Sequence, residues 1–142
     1  MKMLKGGRTN VNHTNDQGET ALHKAALAGN IKAVEYLIKC STVDINIKNR
    51  YIHIFSFFAH SSTLSRHFGE TCLFYAVRRT DSTVRKGLVS LLLKYGADPS
   101  IRGHNGTCRE VARLCGYEDV LLLLDGSTPF VFLLSVLLCL YI

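Results

Sequence analysis

Apolar residues recur along the chain in paired short runs at helical spacing. Leu22, Ala25 and Ala26 form one face, and Ile31, Val34, Leu37 and Ile38 form a second. A period of three to four residues marks helices with one buried stripe. Gly29-Asn30 separates the two runs, where a left-handed glycine closes the first helix. Thr20 opens that helix, its hydroxyl placed to take an unpaired N–H of the first turn. Asp44 to Asn49 then extends into a turn leading onward.

The pattern repeats in detail. Gly18-Glu19-Thr20-Ala21-Leu22-His23-Lys24-Ala25-Ala26 answers to Gly69-Glu70-Thr71-Cys72-Leu73-Phe74-Tyr75-Ala76-Val77. Val34 to Lys39 answers to Val89 to Lys94, and Val43-Asp44-Ile45-Asn46 to Ala97-Asp98-Pro99-Ser100. A third copy runs from Asn105-Gly106-Thr107-Cys108 through Ala112 and Gly116-Tyr117 to Val120–Leu124. These strings resemble the ankyrin repeat, a unit of about 33 residues with a T-P-L-H-x-A core. The usual proline is replaced by Ala21, Cys72 and Cys108, and His survives only as His23, with Phe74 and Glu110 in its place later. The resemblance implies an all-α ankyrin-repeat solenoid of stacked helix–turn–helix units with inter-repeat β-turns. One unit cannot bury both faces, whereas stacked neighbours can.

Spacing divides the chain further. Gly18 and Gly69 lie 51 residues apart, so about seventeen residues are inserted between Arg50 and Gly69. Gly69 and Gly106 lie 37 apart, and four extra residues fall within Thr80–Gly87, read as the turn between the helices of the second unit. The third unit is one residue short near Gly106, and Arg109 replaces a core leucine, as in a terminal capping unit. Residues 4–12 match 38–46 at a constant offset of 34, so the chain reads as opening inside an earlier repeat, a fragment or truncated isoform of a longer protein. The divisions are therefore 1–14 as the tail of a preceding repeat, 15–50 and 69–102 as repeats, 51–68 as an insert, 103–125 as a C-terminal cap and 126–142 as a hydrophobic tail.

Composition adds limits. With 142 residues, 47% hydrophobic and 20% charged, the chain is long enough for a modest core and too apolar to be mostly disordered. A net charge of +6 permits an acidic partner without requiring nucleic acid, and none is expected. Five cysteines, an odd and scattered set without C-x-x-C, together with an N-terminus lacking an apolar signal, make cytosol or nucleus the default location.

Two stretches stand apart. Residues 51–68 hold five of the thirteen aromatics and three of the six histidines. His53, His60 and His67 recur every seven residues, roughly 10.5 Å along a helix, too far for ligands that must each sit about 2.0–2.1 Å from zinc. No metal or other cofactor is assigned. A loop between repeats, non-native translated sequence, and a partner-binding patch of Phe55, Phe57 and Phe58 remain open readings. Residues 129–142 are apolar apart from Ser135, yet fourteen helical residues span about 21 Å against a hydrocarbon core of about 30 Å. A membrane anchor, an irregular terminus and packing on the end of the stack remain open there. No phosphate loop follows Gly6-Gly7, no Ser lies in a G-x-S-x-G elbow, and Cys108, Cys115 and His104 lack ligand or nucleophile spacing. An enzyme is not expected.

The ankyrin resemblance instead implies a protein-binding surface of inter-repeat turns and first-helix faces. Carried over by position, it includes Asp16, Gln17, Glu19, Leu27 and Ala28, then Glu70, Arg78 and Arg79, then Gly103, His104 and Asn105, with Cys40 and Tyr95 at second-helix ends. Arg78, Arg79, Arg85, Lys86 and Lys94 form a basic cluster that reads either as a solvated turn or as a seat for an acidic peptide. The resemblance also marks Asn12 and Asn46 as lying in the turn where such repeats are hydroxylated on asparagine. A scaffold or adaptor, a membrane-tethered relative and an incomplete product without function are the three functional readings.

Overall fold

A computed structural model describes residues 10–50 and 69–126. The histidine-rich insert, the apolar tail and most of the N-terminal partial repeat lie outside the described residues, and with them the readings placed there.

Three helix pairs follow one another: α1 (Ala21–Ala28) with α2 (Ile31–Ile38), α3 (Cys72–Val77) with α4 (Ser82–Lys94), and α5 (Cys108–Leu114) with α6 (Glu118–Leu124). Between the second and third pairs a short hairpin of β1 (Arg102–Gly103) and β2 (Gly106–Thr107) pairs Arg102 with Thr107 and Gly103 with Gly106. First helices stack on first helices, α1 on α3 and α3 on α5; second helices do the same, α2 on α4 and α4 on α6.

Thr20 caps α1, and Gly29 ends it at φ 73°, its N–H reaching Ala25 and Ala26 carbonyls. The Asn30 side chain then caps α2 by accepting from the Ala33 N–H, so two residues serve as the whole link. In the second unit the four extra residues are not a turn. Asp81 caps α4 through the Thr83 and Val84 N–H groups, and the helix runs 13 residues where α2 has 8. The surplus is an added turn of helix.

Burial explains which unit is internal. Counting from the N-cap threonine, positions one and four face the preceding unit, while two, three and six face the following one. In α3 the first, second, third and sixth residues, Cys72, Leu73, Phe74 and Val77, are all fully buried, since neighbours lie on both sides. In α1 the onward residues Leu22, His23 and Ala26 are buried, but Ala21 and Lys24 are exposed. In α5 the pattern inverts: Cys108 and Val111 are buried, and the onward positions hold Arg109, Glu110 and Arg113. Polar residues therefore occupy the onward face of the third unit.

The turn interrupted by the insert is closed all the same. The Gly69 N–H donates to the Asn49 carbonyl at 3.1 Å, just as the Gly18 N–H donates to Asn15 at 2.9 Å.

Candidate interaction surface

The first two turns are each organised by an asparagine that the sequence reading passed over. The Asn15 amide oxygen accepts from the Gln17 and Glu19 N–H groups, and that of Asn49 accepts from the Glu70 N–H. A second set links neighbouring turns: Asn12 donates to the Thr42 carbonyl and accepts from the Asp44 N–H, and Asn46 does the same with Gly96 and Asp98. The signal was the recurrence of Asn ahead of Gly-Glu-Thr in both units.

Glu19 and Glu70, expected on the exposed surface, are buried. Gly18 and Gly69, at φ 71° and 72°, turn the chain so that the following carboxylate points inward. Glu19 accepts from Tyr75 Oη at 2.8 Å and Asn15 Nδ2 at 3.1 Å, with Lys24 Nζ at 2.5 Å. Burial raises the Glu19 pKa, but the hydrogen bonds from Lys24, Asn15 and Tyr75 outweigh it, leaving it below its ordinary value. Burial pushes the Tyr75 hydroxyl upward, and its bond to Glu19 adds to that. Glu70, fully buried, takes the Arg78 guanidinium in a two-pronged ion pair whose Nη2–Oε1 arm measures 2.6 Å.

That pair dismantles most of the expected basic cluster. Arg79 Nη1 donates to the Leu27 carbonyl at 2.6 Å, and Arg85 is buried. Arg85 donates to the Arg79 and Thr80 carbonyls, pairs with Asp119 at 3.0 Å and stacks 3.8 Å over the Tyr117 ring. Lys86 and Lys94 alone of that cluster stay exposed. Arg79 and Arg85 join units to one another, and Arg78 is spent within its own.

His23 is buried between the first two units. Its Nδ1 accepts from the Thr20 N–H, so Nε2 carries the proton and donates to the Glu70 carbonyl at 3.1 Å. Burial lowers its pKa below 6.5, against the smaller upward pull of that carbonyl. Burial likewise pushes the Cys72 thiol up to about 12 and the Cys108 thiol upward, so both are inert core side chains. Among the described residues no group of three or more His, Cys, Asp or Glu is placed to hold a metal, and no helix is long and apolar enough to cross a membrane.

What remains outside is ordered by the repeat. Leu27, Arg78 and Leu114 share the seventh position after the N-cap, and Leu27 and Leu114 are 46% and 81% exposed. Asp16 is exposed and Gln17 half-buried at one turn; His104 and Asn105 are exposed at the hairpin tip. Tyr95 is exposed at the end of α4, in the second-helix layer. Beside the hairpin lies an open cleft of about 490 Å³, walled by Arg102, His104, Asn105, Glu110, Arg113 and Leu114. Arg102, Arg113 and Leu114 were not singled out from sequence; polar residues at onward positions of α5 were the available signal.

A family model for three copies of the ankyrin repeat matches residues 1–103. The chain belongs to the ankyrin repeat family. As an ankyrin repeat protein it is similar in structure to an ankyrin repeat domain from Acinetobacter baumannii AYE, with a TM-score of 0.66 and 28% identity over 83% of this chain and 52% of that one. It is also similar to a second crystallised ankyrin repeat protein, with a TM-score of 0.69 and 28% identity over 89% of this chain and 56% of the other. The chain thus spans about half the length of these solved ankyrin structures. No curated protein matches it. Ankyrin repeats in general are protein-interaction modules.

Proposed function

We propose that this ankyrin chain is a non-catalytic protein-interaction module that engages a partner through its turn tips and the seventh-position row of its first helices. The observation that carries this is the internal commitment of the turns. Asn15 and Glu19 are bonded inward at the first turn, with Asp16 and Gln17 at its tip, and Asn49 and Glu70 are bonded inward at the second, while the β1–β2 pairing presents His104 and Asn105. A surface already ordered loses little conformational entropy on docking. Leu27, near the C-terminal end of α1, adds an exposed apolar side chain on the first unit.

A compound variant tests this: Asp16→Lys with Leu27→Glu and Asn105→Ala, all at exposed positions. Its circular dichroism and melting should match the parent. Quantitative affinity purification from cell extract should then lose a defined subset of co-purifying proteins. Recovery of the same proteins in the same amounts by parent and variant would remove the reading.

A further inference from the structure

The cleft between the β-hairpin and α5 has a charge and shape that the general reading does not specify. The cleft's cations are Arg102 and Arg113; the Lys48 ammonium donates to the Arg102 carbonyl at 3.4 Å but is not among its walls. The carboxylate in the cleft, Glu110, accepts from the Thr107 N–H at 2.6 Å and faces Arg102 at 3.7 Å. Nearby acids do not offset the rest: Glu70, behind Gly103, is held by Arg78, and Asp125 is held by Arg109. Arg113 makes no side-chain hydrogen bond or ion pair among the described residues. Leu114, beside it, is the most exposed large apolar side chain among those residues, at 81%.

Leu114 stands at the seventh position of α5, open to solvent beside the polar onward residues Glu110 and Arg113. An unpaired guanidinium next to an exposed leucine suits a ligand that brings a carboxylate and an aliphatic group together. Arginine's planar fork matches a carboxylate in two-point contact. A carboxylate and a phosphate would both meet Glu110 within the cleft, but a phosphate backbone would leave Leu114 uncovered.

We propose that this cleft docks an acidic peptide segment bearing an aliphatic side chain, with its carboxylates on Arg102 and Arg113 and its aliphatic group on Leu114. This rests on the protein-interaction reading and names one partner chemistry for it. The acidic-peptide seat is thereby placed on the third unit, away from Arg78, Arg79 and Arg85.

The test uses the full chain and a fluorescein-labelled dodecapeptide of Glu, Asp and Gly around a single central Leu, read by anisotropy. Arg113→Glu should weaken binding about tenfold or more, since the partner charge is then repelled. Leu114→Ser, and separately a peptide with central Ala, should weaken it roughly threefold or more by removing the apolar contact. Lys32→Glu, an equal charge change on exposed α2, should stay within about twofold if long-range attraction is minor. Four results would overturn the assignment: no binding at millimolar peptide, equal weakening by Lys32→Glu and Arg113→Glu, indifference to the central Leu, or oligothymidylate binding as tightly as the peptide. If one of these occurs while the Asp16, Leu27 and Asn105 variant still loses its co-purifying proteins, the interaction reading stands and the cleft assignment alone falls.

Discussion

A second proton on His23 has nowhere to go. Its Nδ1 already accepts from Thr20 and its Nε2 already donates to Glu70, inside a buried site. The folded pKa therefore lies below the ordinary 6.5, with burial as the main cause; nearby Glu19 pulls it up and Lys24 pushes it down. A base with a depressed folded pKa binds more protons when unfolded. Stability is thus fully present above about pH 6.5 and falls as pH drops through and below it. Urea midpoints measured from pH 8 to pH 5 should show that decline, and His23→Gln should flatten it. At neighbouring positions, Glu70→Gln should cost about 2–3 kcal/mol by leaving Arg78 without its charge partner, whereas exposed Asp16→Asn should change stability by less than about 0.5 kcal/mol. Both acids stand in turns and looked equivalent in sequence. They differ because Arg78, Asn49 and the His23 ring converge on Glu70 only after the units stack. Such long-range convergence leaves no local spacing to read.

At the scale of the element, helix pairs were legible because their apolar stripes follow the helical period and their ends carry Thr, Asn and Gly caps. The added turn of α4 was not. Ser82 and Thr83 are modest helix formers, and the surplus was assigned to the turn it adjoins. Asp81 decides otherwise by capping two N–H groups. The extension carries Arg85 into the core, where it bolts α4 to the start of α6 through Asp119 and Tyr117. Arg85→Met should cost about 3 kcal/mol, because Asp119 loses its partner and two carbonyls lose their donor. Asp119→Asn should cost less, as its side chain is 22% exposed against 6% for Arg85. A double-mutant cycle from denaturant curves would isolate the pair; a coupling near zero would mean that each side chain matters only through packing.

At the largest scale, the described residues form a short stack with unlike outer faces. The third unit turns Arg109, Glu110 and Arg113 onward, while α1 leaves Ala21 and Lys24 outward where α3 buries Cys72 and half-buries Tyr75. The repeat architecture was readable from sequence, since it rests on periodic identity. The cleft was not: its residues are neighbours in the chain, but only the reversal at Gly103–Gly106 sets Arg102 and His104 opposite Arg113 and Leu114. The interrupted turn carries a further lesson. Asn49 and Gly69 are tied by a hydrogen bond of 3.1 Å, so the stack is sealed on either side of the insert. Deleting residues 52–68 leaves Asn49-Arg50-Tyr51-Gly69-Glu70-Thr71, the same spacing as Asn15-Asp16-Gln17-Gly18-Glu19-Thr20. Loop closure over so short a span contributes only about 1–2 kcal/mol, so that deletion should hold or raise the melting temperature. A lowered one would show that the segment supports the stack. The seam is therefore a port: a guest sequence whose own ends lie side by side can be seated between Arg50 and Gly69, and the host registers it as a long loop.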